Sequence, residues 1–215
     1  MKFDPVTIEC TVLFEEIYKL AIFIEGECAK SLSESSETDL RRAIAQVLPN
    51  TFAVLHALKS LLSEGHLFGA ELLLRPLLER VALISYLSKK KPESLKLWND
   101  GWLHSKRPTI RYMIETITEP QIDLSKYGAN ETNLRRIFLE LVDEMNSIVH
   151  PSPRTANRTA VSMDGGENYM LYSGANPQNH VYIEHISLTA LGLVSALVQE
   201  IGIALPEINP QGQRA

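Results

Sequence analysis

The sequence predicts an all-α fold, a helical bundle of five to seven helices with a small β-hairpin near residues 159–173. Three observations predict it. Apolar residues recur at three-to-four spacing through most of the chain, which is the period of one helix face. The strand signal is confined to TAVSMDGGENYMLYS, where two short runs flank Asp164-Gly165-Gly166-Glu167. No Gly-rich phosphate loop follows a strand and no Gly-x-Ser-x-Gly elbow occurs, which excludes nucleotide-binding α/β enzymes and α/β hydrolases.

Taken in order, residues 5–31 carry Val6, Cys10, Leu13, Ile17, Leu20, Ile24 and Cys28 on one face, opened by Asp4 as N-cap and Pro5 at the first helical position. SLSESSET breaks the period and offers Ser and Thr caps. Leu40, Ile44, Val47, Leu55, Leu58 and Leu62 then resume the pattern up to Gly65, with Pro49 expected to kink or split that helix. From Leu67 to Leu87 the chain is apolar on nearly every side, the signature of a helix at the centre of a bundle. A shorter helix near Leu95 to His104 holds both tryptophans, and another runs from near Pro108 to before Pro120; both read as peripheral. Leu134, Ile137, Phe138, Leu141, Met145, Ile148 and Val149 make the apolar face of a helix over about Thr132–Val149. A last helix spans about Asn179–Ile203, and the tail from about residue 205 is expected to be loose.

The 215 residues fit one domain, with enough chain to bury a full core. Apolar residues at 45% and charged residues at 22% match the average soluble globular chain. No uninterrupted apolar run reaches the roughly 20 residues that cross a bilayer. MKFDPVTIEC holds acidic and polar residues where a signal peptide needs an apolar stretch, so a cytoplasmic location is expected. Cys10 and Cys28 lie about 27 Å apart along one helix, too far to bond each other, and read as buried reduced thiols. A net charge of −5 excludes a broadly basic surface for duplex DNA while leaving a local basic patch, and so RNA, open.

Two polar anomalies carry the functional reading. In the central helix, Glu71, Arg75, Glu79 and Tyr86 share a narrow stripe flanked by leucines, and the i, i+4 spacing puts carboxylates within reach of Arg75. Pro76 sits beside them in the helix interior, where proline typically costs about 3 kcal/mol. Such local rule-breaking marks a site, a buried ion-pair network that fixes register, or simply a partly solvated edge of the helix. Second, MNSIVHPSPR ends a helix on His150, one turn after Asn146, because Pro151 cannot continue the ladder. His150 then lies where the helix dipole favours an imidazolium, with Ser152, Arg154 and Arg158 just downstream. That set fits anion binding or proton transfer at a phosphodiester, and equally a histidine that only caps the helix.

The pairing of LLLRPLLERVALISYL with NSIVHPS resembles a family of bacterial all-helical proteins that carry a domain of unknown function, and more distantly the HEPN superfamily of helical nucleic-acid-linked toxins and sensors. The resemblance covers about residues 65–155. HEPN ribonucleases use an Arg, an adjacent polar residue and a His four positions after that residue, often at a dimer interface. Asn146 and His150 match the last two, while Met145 stands where the Arg belongs and, by its helical angle, faces the core. Arg75 or Arg154 is the candidate replacement.

Arg75, Glu79, Asn146 and His150 are therefore expected to form one site, with Tyr86, Ser152 and Arg154 completing it as ligand contacts. The resulting expectation is a HEPN-like binding or sensor module for an anionic or nucleotide-like ligand, RNA or a small molecule, in a chain that dimerises. The alternatives are a metal-independent ribonuclease using His150, and a structural or oligomerisation domain without a site. No cofactor is expected. A metal site is not expected either, because His180 and His185 do not share the face that i, i+4 ligands use. The lysines of LSKKKPES read as a solvated helix end.

Overall fold

A computed structural model describes residues 39–64, 66–101, 107–119, 134–149, 160–162, 169–171 and 180–206, together with helical positions at Glu15, Tyr18, Lys19, Ile22, Phe23 and Gly26. Cys10, Cys28, His150, Ser152, Arg154 and Trp102 lie outside the described residues. The described chain is mostly helical: α1 (Asp39–Ser63), α2 (Leu67–Lys89), α3 (Glu93–Asn99), α4 (Ile110–Ile114), α5 (Leu134–Val149) and α6 (His180–Ala204). Ala160–Ser162 and Tyr169–Leu171 carry antiparallel backbone pairing, and the residues between them are outside the described set.

α2 is the hub. It packs most extensively on α6 and α1, and also meets α4, α5 and α3. Its own sequence requires that position, because Leu74, Leu77, Leu78, Val81, Ala82, Ile84 and Leu87 occupy most of its circumference and are all buried. Each large apolar side chain among them contributes about 1.5–3 kcal/mol when removed from water. Where the chain reverses from α1 into α2, a Cβ on Gly69 would stand 3.2 Å from Leu61 Cδ1. The missing side chain lets the two helices approach closely.

α1 is one continuous helix that contains Pro49, so the expected split does not occur. Pro49 is exposed, and the buried Leu40, Ile44, Val47, Leu55, Leu58 and Leu62 hold both sides of it to the core. α3 and α4 are shorter than their periodicity suggested, seven and five residues, and carry Trp98 and Met113 to the flank of α2. α5 buries Phe138, Leu141, Val142 and Met145, which places Met145 in the core as its helical angle requires.

α6 is the most apolar of the long described helices. Over Ile183–Ala204 it is long and apolar enough, by length and composition, to cross a membrane, with a mean hydropathy of 1.7. Polar residues, among them Ser187 and Glu200, keep every unbroken apolar run in it short of that length, as expected from the sequence. Both are fully buried, and the helix lies along α2 as a core element.

Candidate functional site: a guanidinium cleft beside the central helix

The polar stripe of α2 is held from two sides. Arg75 Nε donates to Glu79 Oε1 at 3.2 Å, the i, i+4 pair that the spacing predicts. A second nitrogen of the same guanidinium, Nη1, donates to Asn146 Oδ1 on α5. The other oxygen of Glu79 lies 3.8 Å from Arg107 Nη2, in the segment leading to α4. A chain of contacts therefore runs Asn146, Arg75, Glu79, Arg107. It joins residues that are 71 positions apart in sequence, and Asn146, an exposed residue, reaches it because Met145 next door anchors α5 in the core.

Arg80 follows Glu79 on α2 and lines the cleft beside that helix. Its Nη1 donates to the Pro76 carbonyl at 2.6 Å. Burial lowers the affinity of this guanidinium for its proton, and the neighbouring Glu79 charge partly restores it. An arginine stays protonated regardless. The consequence is a half-buried cation whose hydrogen bond goes to a neutral carbonyl.

Arg80, Glu79 and Arg107 line a cleft of about 220 Å³ together with Gln46 and Asn50 of α1 and Trp98 of α3; Leu83, Val47 and Met113 form its apolar part. Trp98 Nε1 donates to Gln46 Oε1 at 2.8 Å, which fixes the indole against the α1 wall. Arg80 and Arg107 outnumber Glu79 among the lining residues, so the lining is net positive on a chain whose net charge is −5. The cleft combines polar and apolar lining residues as small-ligand sites do, but at about 220 Å³ it is smaller than the roughly 300–1,000 Å³ usual for such sites.

Of the expected site residues, the fold brings Arg75, Glu79 and Asn146 together. Tyr86 is elsewhere. It lies about 10 Å beyond Glu79 along the axis of α2, buried to 6% exposure, with its ring edge-on to Tyr112 at 5.9 Å. Burial is the first cause that raises its pKa, with Tyr112 and Glu93 adding to it. His150, Ser152 and Arg154 lie outside the described residues. Among those described, no group of three His, Cys, Asp or Glu side chains gathers as metal ligands would.

Sequence reasoning missed Arg80, Gln46, Asn50 and the cleft itself. The signal for Arg80 was present, since a second arginine in so apolar a helix is as anomalous as Arg75. It also misread Lys89. That ammonium is no solvated helix end: it lies 3.3 Å from Glu200 Oε2 of α6 and donates to the Thr116 carbonyl and Thr118 Oγ1. Glu200 is fully buried and accepts a 2.6 Å hydrogen bond from the Thr118 backbone N–H. Ser85 Oγ donates to the same Thr116 carbonyl at 2.6 Å. This latch ties the segment after α4 to the C-terminal turns of α2 and α6.

No family model, curated protein or solved structure matches this chain.

Proposed function

We propose that the protein is a binding module whose cleft takes a small ligand through an anionic group. The observation that carries this reading is Arg80, a half-buried guanidinium on the cleft wall that hydrogen-bonds a backbone carbonyl and is desolvated. Arg107 lines the same cleft with an exposed side chain and a loose 3.8 Å contact to Glu79, so a ligand recruits it at small cost. An incoming phosphate or carboxylate would replace weak contacts by charge-assisted hydrogen bonds, and arginine presents the planar fork suited to both. Trp98 offers a flat apolar surface beside them.

The HEPN-like resemblance, a hairpin over residues 159–173, a cytoplasmic location and a homodimer belong to this proposal as its wider setting. The commitment of Arg75 to Glu79 and Asn146 favours binding over turnover, because it leaves this guanidinium already engaged by protein groups.

Titration with adenosine monophosphate and with adenosine, read by calorimetry, tests the reading. Saturable binding of the nucleotide, weakened at least tenfold for the nucleoside, is expected. Equal affinity for the two would reject an anion site. RNA incubated with wild type and His150→Ala in EDTA tests the ribonuclease alternative, and cleavage lost in the variant would replace the binding reading with it.

A further inference from the structure

Glu79 poses a problem for any simple anion site, because it places a carboxylate on the wall of the cleft that Arg80 and Arg107 make positive. Its anchoring decides what it does when a ligand arrives. Oε1 is held by Arg75 at 3.2 Å, and Arg75 is in turn held by Asn146 on α5. Oε2 faces the guanidinium of Arg107 at 3.8 Å, a residue whose side chain is 60% exposed. When a ligand draws Arg107 away, Glu79 keeps its ion pair with Arg75 and stays in place. It does not leave with Arg107 and it does not become an uncompensated charge.

Oε2 is then presented to the ligand. A carboxylate accepts about four hydrogen bonds, so Oε2 has capacity to spare even before Arg107 moves. Gln46 and Asn50 line the α1 wall, and the Gln46 carbonyl oxygen already accepts from Trp98. A ligand bearing an anion alone satisfies the two guanidiniums and is repelled by Glu79. A ligand that also carries an ammonium or amino group satisfies all three.

We infer that Glu79 is a specificity-determining residue that restricts the cleft to small ligands combining an anionic group with a cationic or amino hydrogen-bond donor. This rests on the anion-binding reading above and narrows it. The small volume of the cleft, about 220 Å³, suits an amine-bearing phosphomonoester or amino acid. Arg80 and Arg107 hold the anion, and Glu79 takes the amine.

The test compares phosphoethanolamine with propyl phosphate, which differ only in an ammonium in place of a methyl group. Wild type, Glu79→Gln and Arg107→Met are titrated by calorimetry, with far-UV circular dichroism as the fold check. The glutamine introduced by Glu79→Gln retains a carbonyl acceptor for Arg75, so the wall is preserved. Wild type is expected to bind phosphoethanolamine about tenfold more tightly than propyl phosphate. Glu79→Gln is expected to abolish that preference, weakening the first ligand and strengthening the second. Arg107→Met weakens both. Equal affinity of wild type for the two phosphates overturns the role of Glu79 and leaves the anion site standing. Failure of both to bind at millimolar concentration removes the anion site and this inference with it.

Discussion

Replacing Lys89 by Met should be among the most damaging single changes in a side chain that touches solvent. Lys89 and Glu200 are 3.3 Å apart, Glu200 is fully buried, and the lysine side chain is 30% exposed. The variant keeps the apolar stem of the lysine, so packing is little changed and charge is what is removed. Glu200 would then be a buried carboxylate with the Thr118 N–H as its remaining hydrogen bond. Breaking a buried pair from one side costs about 3–5 kcal/mol. Because the ammonium retains partial contact with water, the low end applies, about 3 kcal/mol. For a domain of this size that is a fall in Tm of roughly 6–12 °C. Urea unfolding at 25 °C followed by tryptophan fluorescence measures it. The double variant Lys89→Met/Glu200→Met should recover much of the loss, because the orphaned charge is gone and an unpaired Thr118 N–H remains at about 1–3 kcal/mol. A Lys89→Met variant within about 0.5 kcal/mol of wild type, or a double variant no more stable than Lys89→Met, would show that Glu200 is hydrated and the latch is not closed.

Stability should fall as pH rises above about 10, and Tyr86→Phe should flatten that fall. Tyr86 holds its proton more tightly when folded than the ordinary value of 10.0, so the folded state binds more protons and loses stability as pH climbs past the unfolded value; denaturant midpoints between pH 9 and pH 11 check this. Phe138→Ala removes a ring at 1% exposure and should cost about 3–5 kcal/mol by urea unfolding, against less than about 1 kcal/mol if α5 packs loosely. Asn146→Ala removes the exposed support of Arg75 and should change stability by no more than about 1 kcal/mol in the same assay. It should nevertheless weaken phosphoethanolamine binding, because Glu79 loses the second hold on its partner.

The order and type of the main helices were legible in the sequence because apolar spacing is a local property. α1, α2, α5 and α6 each show it over several turns. The Arg75–Glu79 pair was legible for the same reason, since both residues lie on one helix and the spacing alone puts them in reach. The contact of Arg75 with Asn146 was reached by treating two polar anomalies as one site. What stayed hidden depends on tertiary arrangement. Lys89 and Glu200 are 111 positions apart, and nothing in LSKKKPES distinguishes the lysine that turns inward from those that do not. The carboxylate of Glu200 deep in the apolar C-terminal half of α6 was the available clue, because a buried charge demands a partner. The cleft was hidden too, since α1, α2, α3 and the segment before α4 each contribute a few side chains that look like ordinary surface residues. Tyr86 shared the face of Arg75 by angle but not by height, and an angular projection discards the rise along the axis.

The most direct test of the cleft is side-chain NMR of the arginine Nε–Hε groups during a titration with phosphoethanolamine. Saturable shifts at Arg80 and Arg107, with Arg136 on the exposed face of α5 unmoved, are the expected result. No shift at Arg80 or Arg107 at millimolar ligand, or a shift of Arg136 equal to theirs, would contradict a ligand site at this cleft.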